Sequence, residues 1–267
     1  MTLFHLILVA ALQGVTEFLP ISSSGHLILL PGLTGLDDQG LAIDVAVHVG
    51  TLAAVVLYFR RDVAEAAVGV PRLLTGRADT PGARLALLLL VATLPVMAAG
   101  LALRLAGLDA ALRSVAVVGW TTLGFGVLLW VADRFAPAAR AAEGWSLRHA
   151  AILGLWQAVA LIPGTSRSGI CITGARFLGY TRHGAAKLAM LMSIPTILAS
   201  GGLLAIEVAA EADAALARDG AIAAAFAFFA ALAALAAMMR LLQSVSFTPY
   251  VLYRVALGAA LLIWAYA

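Results

Sequence analysis

The sequence predicts an all-α polytopic membrane protein built from two inverted-topology repeats, each one re-entrant helix hairpin plus three transmembrane helices. Three observations predict it. Of the 267 residues 63% are hydrophobic and 12% charged, where a soluble domain carries about one-quarter charged residues; the mean hydropathy is +1.01. Several apolar runs reach the roughly 20 residues that a spanning helix needs, whereas a membrane β-barrel would show short alternating segments. A polar motif in the first half recurs, without a gap, in the second.

The first element is a hairpin. Residues 3–19 and 22–34 read as two half-length helices joined at a turn near Pro20. The stretch from Met1 to Leu12 lacks a basic n-region and is not expected to be a cleaved leader. From Gln13 to His26 an otherwise apolar chain gathers an amide (Gln13), a carboxylate (Glu17), three hydroxyls (Ser22, Ser23, Ser24) and an imidazole (His26), interrupted by Pro20 and Gly25. Ionisable groups at membrane depth are costly enough to mark function, and broken helices there survive only inside protein or along a wet cavity. Spans are expected near 41–59, 85–105 and 114–133, with an arginine-rich loop at 60–84 broken by Pro71 and Pro81. The second half is expected to hold a hairpin at 147–178 and spans near 186–206, 221–241 and 250–266. A single cysteine, Cys171, excludes an intrachain disulfide.

The recurrence has three anchors. Gln157-Ala-Val-Ala-Leu-Ile-Pro-Gly-Thr-Ser-Arg-Ser-Gly169 aligns with Gln13-Gly-Val-Thr-Glu-Phe-Leu-Pro-Ile-Ser-Ser-Ser-Gly25 at an offset of 144 residues. Residues 194–199 match 49–54, and 257–264 match 123–130, in the same order. The chain is therefore expected to be one membrane domain over 1–267, with repeat 1 at 1–135 and repeat 2 at 146–267. Three spans per repeat would oppose the two orientations. Charge gives an independent check. With loop 60–84 inside, thirteen cations fall inside, from Arg60 and Arg61 through Arg176, Arg182 and Lys187 to Arg240 and Arg254. Only Arg104, Arg113 and Arg218 fall outside, beside the acidic Glu207, Glu211, Asp213 and Asp219, as the positive-inside rule requires. The hairpins would then enter from opposite leaflets and meet near the midplane.

Their residues suggest chemistry. Arg167 among serines after Pro163-Gly164 suits an anion, because a guanidinium holds phosphate oxygens bidentately and the start of a half-helix adds N–H donors. Ser22 and His26 lie one turn apart, as do Gln13 and Glu17, so each arm can face one pocket. Arg167 is expected to face Ser23 and His26 across that pocket. Asp44 and His48, also four apart, are expected to face a polar interface near the outer end of their span rather than to hold a metal.

Glu17-Phe-Leu-Pro-Ile-Ser-Ser-Ser-Gly-His26 resembles the hallmark of the undecaprenyl-diphosphate phosphatase (bacitracin-resistance) family. Gln13-x-x-x-Glu17 fits that family's glutamate/glutamine-x-x-x-glutamate element, and Pro163 to Gly169 its proline-glycine-x-serine-arginine-serine element. The resemblance covers nearly the whole chain. It implies a multi-pass enzyme of the bacterial inner membrane, active site facing the periplasm, that hydrolyses undecaprenyl diphosphate to the monophosphate and inorganic phosphate and so recycles the lipid carrier of cell-wall synthesis. It implies a divalent metal ion, Mg or Ca. Position by position, Glu17, Ser23, His26 and Arg167 match catalytic residues; Gln13, Ser22, Ser24, Gly164, Thr165, Ser166 and Ser168 match substrate contacts; Glu17 and Gln13 are the metal candidates. Cys171 stands where the family often has a threonine, which puts one secondary phosphate contact in doubt, with Thr173 as a partial substitute.

In the expected reaction Ser23, or a water in its place, attacks the terminal phosphorus. His26 carries the proton, and Glu17 orients it or binds the metal. Attack by His26 itself is the competing route. The partners expected are the prenyl diphosphate lipid and the bilayer, with no nucleic acid; the sequence leaves homodimerisation open. The rival reading is a secondary transporter or flippase for a phosphorylated lipid or anion, whose architecture is the same but which needs no proton carrier beside its anion clamp.

Overall fold

Eleven α-helices make up the described residues of the computed structural model, which are 1–36, 38–107, 114–211 and 214–267; the side chains of 28, 31–33 and 203–211 are also outside the description. Arg113 and Asp213 of the charge argument, and the side chains of Glu207 and Glu211, therefore lie outside the described residues. The helices are α1 (Leu3–Phe18), α2 (Ser23–Thr34), α3 (Gly40–Tyr58), α4 (Arg60–Leu74), α5 (Pro81–Ala106), α6 (Val115–Phe135), α7 (Leu147–Val159), α8 (Arg167–Phe177), α9 (Arg182–Glu211), α10 (Ala214–Leu241) and α11 (Thr248–Tyr266). Six of them are long and apolar enough to cross a membrane: α3, α5, α6, α9 over Arg182–Gly202, α10 and α11. The chain is a multi-pass, all-helical membrane protein.

The helices of the two broken pairs are shorter. Thr2 caps α1 by accepting from the His5 amide (3.3 Å), and the helix stops because Leu19, preceding Pro20, is driven to extended backbone (ψ 145°). Ser146 caps α7 in the same way, and that helix ends just before Ile162-Pro163. The segments that follow, α2 and α8, are 12 and 11 residues long, too short to span. Ser168 through Arg176 of α8 are all buried, so between its two end residues this half-helix is enclosed by protein.

Small residues bring the elements together, as expected where lipid tails remove any hydrophobic drive between helices. The face of α10 that carries Ala223, Ala227 and Ala231 is fully buried. A Cβ on Gly14 of α1 would lie 2.7 Å from the Ala227 carbonyl oxygen, and one on Gly50 of α3 would collide with that of Ala224. Both helices thus lie almost backbone to backbone against α10, which sets Gln13 of α1 beside His48 of α3.

Two expectations are corrected. The loop at 60–84 contains a helix, α4, which crosses Pro71 and packs on α5 where Gly69 meets Gly82 without room for a side chain. Its arginines, Arg60, Arg61 and Arg72, are exposed and Pro71 falls in its last turn, so the segment reads as a loop from sequence. Arg254 and Arg176, placed among the inside loop cations, are in fact 0% and 2% exposed. Arg176 donates to the backbone carbonyls of Asp133, Ala136, Pro137 and Tyr180, beside a buried Asp133 that also receives Arg182 at 2.7 Å.

Candidate active site

The two broken segments meet, and their turns share one backbone form. Ser22 and Ser166, 144 residues apart, are the non-glycine residues of positive φ among those described, at 71° and 69°. Each hydroxyl contacts the serine two positions on, Ser22 with Ser24 at 3.0 Å and Ser166 with Ser168 at 3.1 Å. The turns are also tied to each other. The Gly164 amide donates to Ser24 Oγ (3.1 Å), and Ser168 Oγ donates to the Leu19 carbonyl (2.9 Å).

One cluster forms on the α1 side. Glu17 accepts from Arg167 Nη2 at 2.8 Å on one oxygen and from Gln13 Nε2 at 2.8 Å on the other. Glu17 and Arg167 are 9% and 14% exposed, a largely desolvated pair. His48 closes the cluster: its Nε2 lies 3.1 Å from Gln13 Nε2 and 3.9 Å from Glu17 Oε2. Its Nδ1 lies 2.7 Å from the Asp44 carbonyl. A carbonyl can only accept, so Nδ1 carries a proton, and with the Gln13 amide donating its N–H, Nε2 is the acceptor. The polar interface that His48 faces is thus the one with Gln13 and Glu17 of α1, while its side chain stays partly exposed. Asp44 instead takes the Gln39 amide at 2.7 Å.

A second cluster surrounds His26. Its Nδ1 is 2.7 Å from the Ser22 carbonyl and its Nε2 is 2.6 Å from the hydroxyl of Tyr253 on α11. By the same logic the proton is on Nδ1, and the phenol donates to Nε2. Arg167 is not hydrogen-bonded to this imidazole. Its guanidinium bonds to Glu17 and, at 3.4 Å, to the Ala189 carbonyl, so the link between second turn and first runs through Glu17 rather than His26. Ser23, first residue of α2, is half-buried. Thr165, Ser166 and Ser168 are buried at 0%, 9% and 1%. Ser166 and Ser168 build the turn, and Thr165 Oγ1 is buried with no partner among the described residues.

Cys171 is 1% exposed, its Sγ 3.8 Å from Gln157 Oε1, and Thr173 bonds the Gly169 carbonyl at 2.7 Å; neither is turned to the turns' meeting point. Sequence reasoning missed Tyr253 and Arg254, and also Thr121 and Thr122 of α6, whose hydroxyls hold the Pro163 and Gly164 carbonyls at 2.5 and 3.2 Å. A signal for Arg254 existed: an arginine within an apolar span has to have a buried partner.

The fold and this centre define a polytopic membrane protein whose two broken helices meet in a small set of buried charges and hydroxyls. The family model described as bacitracin resistance protein BacA matches residues 6–260, and the chain belongs to that family. It is 72% identical over 267 residues to a Dinoroseobacter shibae protein named undecaprenyl-diphosphatase, covering all of both chains. It is 69% identical to one of the same name from Ruegeria pomeroyi, again over all of both chains. A Hahella chejuensis protein of that name is 45% identical over 266 residues, covering 100% of this chain and 99% of the relative.

Proposed function

We propose that this protein is an integral membrane phosphatase that hydrolyses undecaprenyl diphosphate to undecaprenyl phosphate and inorganic phosphate, recycling the lipid carrier of cell-wall synthesis. The observation that carries the reading is the 2.8 Å contact between Arg167 and Glu17 where both helices break, in a chain 72% identical to a protein named for that activity. A guanidinium already desolvated and held by a carboxylate is pre-organised for a second anion. Catalysis on a diphosphate is chiefly positioning and charge neutralisation. Arg167 and the N–H groups opening α2 and α8 would grip the phosphates. Ser23, or a water in its place, attacks the terminal phosphorus; the new O–P bond forms as the bridging P–O bond breaks, and the electron pair leaves on undecaprenyl phosphate. On the Ser23 route a water then attacks the phosphoserine phosphorus, the Ser23 O–P bond breaks, the serine oxygen takes back a proton, and inorganic phosphate is released; on the water route the first step releases it directly. His26, with its tautomer fixed by Ser22 and Tyr253, moves the proton. Glu17 is engaged with Arg167, Gln13 and His48, so its role here is to hold the guanidinium and the cation site rather than to orient His26.

A divalent cation, Mg or Ca, would be held by Glu17, Gln13 and His48. Glu17 offers a carboxylate and His48 its Nε2, and the Gln13 amide, whose Nε2 lies between them, would turn to offer the Oε1 that is buried without a partner among the described residues. No group of three or more His, Cys, Asp or Glu side chains could hold a metal among the described residues, so phosphate and water oxygens would complete the shell, the usual arrangement for Mg. When bound, the ion would neutralise charge on the phosphates.

The reading includes two inverted repeats at 1–135 and 146–267, the inner membrane, and a periplasmic active site. Supporting it, α10 packs along α1 and α3 as α5 packs along α7 and α9, an exchange that a twofold axis in the membrane plane would produce. With Arg176 and Arg254 removed, the loop cations of the sequence still favour the side of α4. The test is to incubate detergent-purified protein with a prenyl diphosphate and Mg: phosphate is released, and Arg167→Ala and His26→Ala each slow the release by about 10²-fold or more. Uptake of the lipid into vesicles without hydrolysis would instead establish the transporter.

A further inference from the structure

We infer that Arg254 is a positioning residue for the diphosphate: it pins the carbonyl side of the second turn so that the turn's amides face the anion. Its guanidinium is 0% exposed although it sits only six residues into a spanning helix. It donates to four backbone carbonyls, Thr165 at 2.9 Å, Thr122 at 3.1 Å, Gly164 at 3.2 Å and Pro20 at 3.4 Å. Three of the four belong to the two turns that bracket the site. No carboxylate pairs with it among the described residues, so a full positive charge is kept out of water against neutral dipoles alone. That is an expensive way to fasten a loop, and a charge held there also favours an anion at the turn's opposite face.

The glycines fit this arrangement. A Cβ on Gly169 would lie 2.7 Å from Arg254 Nη1, and one on Gly126 3.0 Å from Arg254 Cβ. The closing glycine of the Pro163–Gly169 motif thus makes room for a side chain 85 residues further along the chain. Gly164, at φ 85°, has no space for a Cβ against Thr121 and Val118. The turn is therefore set from behind by α6 and α11. The Thr165 N–H is spent on the Ile162 carbonyl, so it is the peptide plane presenting the Thr165 oxygen to Arg254 that turns a free amide, the Ser166 N–H at the mouth of α8, the other way.

The inference rests on the phosphatase reading, and its test separates the two. KM and kcat with a prenyl diphosphate are measured alongside the Kd of inorganic pyrophosphate by calorimetry on the detergent-solubilised protein. Arg254→Met is expected to raise KM and the pyrophosphate Kd together by tenfold or more, and Arg254→Lys to recover part of the loss. Gly126→Ala, which keeps the arginine and displaces it slightly, is expected to shift both the same way by a few-fold; it decides the question if Arg254→Met fails to accumulate. An unchanged Kd with kcat lost only in proportion to folded protein would make Arg254 purely structural and overturn the inference. A wild type that binds pyrophosphate but releases no phosphate would overturn the phosphatase reading and leave this one standing.

Discussion

The two turns, Pro20–Gly25 and Pro163–Gly169, are the same piece of backbone put to different uses. Both pass through a serine of positive φ and close with a serine–serine hydrogen bond. Their surroundings differ. A Cβ on Gly25 would find ordinary contacts from 3.6 Å, whereas Gly169 is pressed against Arg254. The second turn brings a guanidinium and leads into a half-helix buried between its two end residues; the first brings the carboxylate, the imidazole and the half-buried Ser23. One turn is a rigid anion seat, and the other carries the groups that must move protons and bonds.

Substitutions in and around the two turns should separate these uses. Arg167→Ala removes the charge of the seat and should lower kcat/KM by about 10³-fold or more, as for other phosphate clamps, measured by phosphate release. His26→Ala acts on the chemical turn and should cost roughly 10²–10⁴-fold in kcat, the range of general acid–base catalysis, with KM nearly unchanged. His48→Ala should raise the metal concentration needed for half-maximal activity by about 10- to 100-fold, as when a metal site loses a supporting group; a Mn titration followed by electron paramagnetic resonance reads the binding directly. Gly169→Ala should cost about tenfold in kcat/KM while Gly25→Ala stays within about threefold, since overpacking is felt only where the neighbour cannot yield. Cys171→Thr should change activity by less than about twofold, because a neutral hydrogen bond between Gln157 and residue 171 adds only about 1 kcal/mol and lies away from the turns.

The hairpin breaks and the spans were legible in the sequence because their signals are local: proline before an extended residue, runs of apolar residues, polar side chains where none should be. The family motifs were legible for the same reason. What the sequence could not convey was tertiary. Which polar partners His48 meets could not be read, because nothing in α3 alone reveals that Gly50 lets it lie against α10 beside α1. Arg254 was counted with loop cations because its partners are carbonyls of three distant segments, which leave no mark in the residue types. The bonding of Arg167 to Glu17 rather than to His26 depends on how the turns dock, and spacing along the chain is silent on that. Helix α4 was obscured by a proline that a helix tolerates near its end.

Arg254 also constrains how the molecule is made. Both turns leave the ribosome well before α11, by about 90 residues for the second of them, and until that helix inserts, the carbonyls of Pro20, Gly164 and Thr165 lack the side chain that gathers them. A nascent chain halted after α10 would have both motifs in the bilayer and no finished centre. Hydrolytic competence would switch on with the arrival of α11, so that a stalled or clipped product is inert.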